Sequence, residues 1–120
     1  MVRKERRWFP RYHAPESLAA TAEFPPRRGQ RLQVKDISID GLSFVTKVNI
    51  SDETFFNLSL EMTDKDGRCV RINTPAKILW STFDERASLY TAGVLFLGLK
   101  DSDRELLQGI LSPLIPKESP

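Results

Sequence analysis

Two short stretches of this sequence carry side chains suited to ligand chemistry. Arg7 and Arg11 stand four residues apart, with Arg6 directly before the first and Trp8, Phe9 and Pro10 between them. Neighbouring guanidinium groups attract a polyanion. A solvated basic tail would show the same residues. The second stretch is Asp36-Ile37-Ser38-Ile39-Asp40-Gly41. Side chains two apart in an extended strand share a face. A carboxylate at 36 and a hydroxyl at 38 are therefore expected side by side, just before a tight turn at Gly41. A polar strand end feeding a hairpin accounts for the same pattern.

Other chemistry is sparse. The single His and single Cys leave no Cys/His cluster of the kind that holds zinc. His13 has no nucleophile spaced near it and is expected on the surface. Cys69, at the start of a strand, is expected to be a partly buried structural thiol. One cysteine forms no intramolecular disulfide, which points to a reducing, cytoplasmic setting. Asp64/Asp66 and Asp84/Glu85 fall in turn-like segments and are expected to be solvated. No phosphate-loop or Gly-x-Gly-x-x-Gly pattern is present. The expectation is a binding module with no cofactor and no metal, and not an enzyme.

Charge is unevenly spread. Residues 1–35 hold nine basic groups against three acidic, a balance of +6 within a chain total of +2. The remaining residues hold nine basic against thirteen acidic groups, or −4. The length fits one domain with its own core. No apolar run approaches the ~18–20 residues that span a bilayer. The start, Met-Val-Arg-Lys-Glu-Arg-Arg, is not expected to be a secretory signal.

The rest of the chain must position these residues. Met1–His13 reads as an extended basic arm. Ser17–Phe24 has strand length, Pro25-Pro26 closes it, and Arg27–Gln30 is expected to be a loop. Leu32, Val34 and Ile37 outline the next strand. Asp40-Gly41 then signals a hairpin into Leu42–Thr46. Phe56, Leu58, Leu60 and Met62 alternate with polar residues as a half-buried strand does. Asp64–Gly67 is a turn. Val70 and Ile72 lead into a run in which Ala76, Ile78 and Trp80 are expected on one face. Ala92, Val94 and Phe96 end the β section. Ser102-Asp103-Arg104-Glu105 has the form of a capping box. Leu106, Leu107, Ile110, Leu111 and Leu114 come after it as one helical stripe. The fold class is mainly β: six short antiparallel strands forming a small barrel, with a C-terminal amphipathic helix and a basic N-terminal arm. The expected boundaries are an arm over 1–13, a barrel over 14–100, a helix over 101–115 and a tail over 116–120.

Taken together, the two stretches resemble the signature of the PilZ domain family, whose members bind the second messenger cyclic di-GMP. That signature is Arg-x-x-x-Arg followed later by Asp/Asn-x-Ser-x-x-Gly. Here it falls on Arg7 and Arg11, then Asp36, Ser38 and Gly41. Leu42–Val45 after the glycine, the Ala76–Trp80 strand ending in Trp, and Gly93-Val94-Leu95-Phe96 extend the likeness over roughly residues 5–112. The resemblance implies a six-stranded barrel with a C-terminal helix. It implies a ligand-binding set of Arg6, Arg7, Arg11, Asp36, Ser38 and Gly41.

The ligand suits those side chains. An arginine fork matches phosphate oxygens or the O6/N7 edge of guanine. An ionised Asp36 accepts from guanine N1–H and N2–H, and Ser38 donates or accepts. Gly41 is expected to turn the backbone and leave room for the ligand. The arm would clamp the ligand against the barrel, with Trp8 and Phe9 packing it down. Arg6 directly before the motif implies two stacked ligands per chain. The implied role is a stand-alone receptor that signals to a protein partner. Two other readings stay open: a PilZ-like adaptor that binds protein and not nucleotide, and a nucleic-acid-binding barrel. The net acidic 36–120 region disfavours the latter.

Overall fold

The computed structural model describes residues 9–24 and 27–117, with Arg27 and Arg28 as backbone only. Seven strands and one helix run in order: β1 (Tyr12–His13), β2 (Ala19–Phe24), β3 (Arg27–Ile37), β4 (Gly41–Thr46), β5 (Phe55–Thr63), β6 (Cys69–Asp84), β7 (Leu89–Phe96) and α1 (Asp101–Leu111). The sheet order is β1-β3-β2-β5-β6-β7-β4, and β3 also pairs with β4. That last pairing closes β2–β7 into an antiparallel barrel of six strands, which leaves no free edge within the ring. The short β1 is an addition to the expected six. It continues the arm onto the end of β3, with Tyr12 opposite Ile37 and His13 opposite Asp36.

Alternation drives most of this. Phe56, Leu58, Leu60 and Met62 on β5 are buried, as are Val70, Ile72, Ala76 and Ile78 on β6 and Ala92, Val94 and Phe96 on β7. They fill the barrel in a single core, with the Phe24 and Phe56 rings 4.4 Å apart. Leu107, Ile110 and Leu111 of α1 join that core. Leu106 of the expected stripe is instead 45% exposed.

Several local expectations are corrected. Arg27–Gln30 is strand, not loop: β2 and β3 pair from Ala20↔Leu32 as far as Phe24↔Arg27. The extra β3 residue between Gln30 and Arg27 is taken up as a bulge, with Gly29 at φ +63°. Cys69 is exposed, because it opens β6 on the outer face while Val70 points inward. The helix starts at Asp101, one residue before Ser102, so the capping box does not form; Lys100 is the N-cap and makes no side-chain cap bond. Asp101 and Asp103 in the first turn face the positive end of the helix dipole instead. The helix ends at Leu111, short of the expected 115, and Pro113 lies just beyond.

Two bulges shape the outer wall beside the β3–β4 hairpin. Val34 pairs with Phe44 but Asp36 pairs with Ser43, so Lys35 is an extra residue on β3. Ile78 pairs with Val94 but Trp80 pairs with Gly93, so Leu79 is extra on β6. Each bulge resets the alternation beyond it. Trp80 therefore leaves the face it was expected to share with Ala76 and Ile78.

Candidate functional site

The β3–β4 hairpin sets the site. Ile37 and Leu42 face each other and are fully buried, so the next pair out, Asp36 and Ser43, faces outward. The row continues across the barrel wall: Ser43 is opposite Gly93 on β7, and Gly93 is opposite Trp80 on β6. A Cβ at position 93 would lie 2.3 Å from Cε2 and Nε1 of Trp80. The indole thus rests directly on Gly93, two strands from Asp36. Ser43 Oγ is buried in the middle of this row and, among the described residues, makes no hydrogen bond of ordinary geometry.

The arm reaches the same row. β1 holds its end against β3, and Tyr12 is buried in the core. Arg11, one residue earlier, donates from Nη1 to Asp36 Oδ1 at 2.9 Å. Lys117, beyond α1, donates from Nζ to Asp36 Oδ2 at 3.1 Å. Its backbone N–H also donates to the Arg11 carbonyl at 2.7 Å. Asp36 is only 6% exposed. Burial pushes its carboxyl up, but Lys117, the nearby Ser43 hydroxyl and Arg11 outweigh that and hold it below the usual carboxylate value. The result is an ionised acceptor, flanked by two cations, on an outward-facing row that ends in an aromatic plate.

The sequence-predicted residues fare differently. Arg11 and Asp36 are brought together. Arg6 and Arg7 lie outside the described residues, as does Trp8. Ser38 lies one residue past the end of β3 at Ile37. Ser38 lies in the turn, 1% exposed, with its N–H on the Gly41 carbonyl at 2.8 Å and its hydroxyl donating to the Asp40 carboxylate. It fixes the hairpin. Gly41 is also corrected: it is the first residue of β4, not the turn, and its φ is not in the left-handed region. Its glycine is required by close approach, since a Cβ there would sit 2.0 Å from the Val94 carbonyl oxygen. The turn is tied down further by Phe96 N–H on the Asp40 carbonyl at 2.9 Å. His13 is exposed. Asp64 and Asp84 use their carboxylates on backbone N–H groups of their own turns, those of Asp66 and Arg68 and that of Arg86.

Sequence reasoning assigned no ligand role to Ser43, Trp80 or Lys117. Ser43 was legible in principle: it lies two residues after Gly41, on the face opposite Leu42 and Phe44. Trp80 was hidden by the bulge at Leu79. Lys117 carries no local signal at all. A groove of about 520 Å³ lies elsewhere, on the outside of β2, β5 and β6. Four of its polar side chains pair with one another, Arg71 with Glu61 and Ser59 with Asn73. Among the described residues, no ion pair or motif residue links it to Asp36.

A family model described as PilZ domain matches residues 3–112. No curated protein matches the chain. Among solved structures, the Bacillus subtilis inhibitor of motility is similar at 17% identity and a TM-score of 0.73, over 89% of this chain and 50% of that one. The K. pneumonia MrkH–c-di-GMP complex is similar at 18% identity and a TM-score of 0.70, over 92% of this chain and 52% of that one. The chain thus spans about half the length of these two. The PilZ domain with c-di-GMP of YcgR from Escherichia coli is similar at 16% identity and a TM-score of 0.64, over 92% of both chains. At these identities the likeness is one of fold.

Proposed function

The chain belongs to the PilZ domain family, and on that premise we propose that it is a receptor for cyclic di-GMP. Two of the similar structures are described as containing that ligand. The observation that supports the reading most is the 2.9 Å contact of Arg11 with Asp36. It joins the arm motif to the strand motif on one outward-facing row.

The proposed roles come from the chemistry of the groups. The Asp36 carboxylate accepts from the N1–H and N2–H donors of one guanine. Arg11 and Arg7 serve phosphate oxygens or the guanine O6/N7 edge through their planar forks. Ser38 and Gly41 act by shaping the hairpin that presents Asp36. Ser43 Oγ, buried beside Asp36 in the same row, adds a hydroxyl for ligand or bridging water. The Trp80 indole on Gly93 offers a stacking surface along the same row. Arg6 adds a third arm guanidinium, and two ligands per chain is the proposed stoichiometry. The chain then acts on a partner protein through its arm, as a receptor and not an enzyme, in a bacterial cytoplasm. Among the described residues no helix is long and apolar enough to cross a membrane.

Calorimetric titration with cyclic di-GMP, with GTP as control, tests this. Saturable binding with two ligands per chain, and none for GTP, is the expected result. Absence of binding overturns the reading. One ligand per chain overturns the stoichiometry alone, and Arg6→Ala is expected to lower the count from two.

A further inference from the structure

The structure assigns Lys117 a role in setting ligand affinity: we propose that it competes with the ligand for Asp36 and is displaced when the ligand binds. This rests on the chain being a cyclic di-GMP receptor. Both carboxylate oxygens of Asp36 are already engaged, Oδ1 by Arg11 at 2.9 Å and Oδ2 by Lys117 at 3.1 Å. A guanine edge donates from N1 and N2 together and must reach a lone pair on each oxygen from one side. With the Asp36 side chain 8% exposed, a base does not reach it while both cations stay in place.

Arg11 has another role once released, since its fork suits the ligand's phosphates. Lys117 is the group whose bond is exchanged. The segment that carries it, Ser112–Lys117, is lightly held past Leu114. Its Ser112 and Leu114 N–H groups bond back to Gln108 and Leu111 of α1. Leu114 packs half-buried against the core, and past it the ties among the described residues are the Lys117 contacts, one to the Arg11 carbonyl and one to Asp36. Ile115 is 86% exposed, so its side chain contributes almost no burial that would keep the segment down. Detachment at Lys117 therefore frees the arm backbone at Arg11 and the carboxylate at Asp36 in one movement.

The test uses the full chain and cyclic di-GMP. Lys117→Met, which keeps length and removes charge, is expected to bind about two- to fivefold tighter than wild type, the range of a partly exposed ion pair. Lys117→Arg, which restores the pair, is expected to return affinity towards wild type. In the wild type, the Lys117 amide is expected to be protected from hydrogen exchange without ligand and to lose protection at saturation. Weaker binding by Lys117→Met overturns the proposal and makes Lys117 a ligand contact. Unchanged affinity, or protection retained in the complex, also overturns it. If the wild type binds no cyclic di-GMP, the underlying reading falls instead. The hold on Asp36 is then judged without ligand: Asp36→Asn should abolish Lys117 amide protection, and retained protection overturns that too.

Discussion

Among the described residues, two guanidinium–carboxylate pairs sit on the outside of this barrel, and they differ in everything except chemistry. Arg71 and Glu61 face each other across β6 and β5, with side chains 66% and 40% exposed. Arg11 and Asp36 link the arm to β3, with side chains 15% and 8% exposed. The first pair is local to one strand pairing and open to water. The second joins residues 25 apart, is sheltered, and carries Lys117 as a third member. Water screens an exposed pair to little net effect, whereas a sheltered charge depends on its partners. The difference teaches that position in the fold, more than residue type, decides which ion pair can bind and report a ligand.

The largest effect expected from that difference is on Asp36. Asp36→Ala leaves two cations in a sheltered place without their acceptor and should cost about 2–4 kcal/mol of stability. It should also remove discrimination for guanine. Glu61→Ala should change neither stability nor ligand binding measurably. Urea unfolding and calorimetry on both variants check this; equal effects of the two would erase the contrast.

Gly41→Ala should come next. The added methyl meets the Val94 carbonyl oxygen at 2.0 Å. That neighbour is sheet backbone and cannot step aside as a flexible side chain would. A loss of about 1–3 kcal/mol is expected from overpacking, together with weakened ligand binding as the hairpin shifts under Asp36. A thermal melt unchanged from wild type would show that the hairpin yields cheaply.

Arg11→Ala should lower cyclic di-GMP affinity about 10- to 100-fold, the size of a lost bidentate contact. Arg11→Lys should recover only part, because a point charge lacks the fork. Arg71→Ala should leave affinity unchanged. If Arg71→Ala matched Arg11→Ala, binding would belong to the groove on β2, β5 and β6.

How much of this was readable before the fold was known depends on which residues are asked about. The buried series Phe56-Leu58-Leu60-Met62 and the helix stripe at Leu107, Ile110 and Leu111 were legible, because period and burial are the same fact stated twice. Arg11 and Asp36 were legible as types at a spacing, though not as partners. The bulges at Lys35 and Leu79 were not legible. One extra residue inverts every later side chain, and no residue type announces it; hence Trp80 was set on the wrong face. Ser38 and Gly41 were legible as ligand candidates before a turn, but not their places in the fold, where one donates and accepts within the turn and the other packs close to Val94. Lys117 was out of reach, since only the return of the chain after α1 brings it to Asp36.

The smallest expected effect is on the pH dependence of stability, and it isolates the sheltered pair from the exposed one. Burial opposes the charge on Asp36, yet Lys117, Ser43 and Arg11 together keep its carboxyl below the ordinary value in the folded chain. The unfolded chain therefore takes up this proton more readily than the folded one. The stabilisation is fully present above the unfolded carboxyl range, at about pH 4 and higher, and is lost as pH falls through that range to the depressed folded value. Wild-type unfolding free energy should fall more steeply on acidification below about pH 4 than that of Asp36→Asn, which has no proton to gain at that site. Urea unfolding across that pH series decides it. If the wild-type and Asp36→Asn curves run parallel, Asp36 is not held by its cations as the geometry requires.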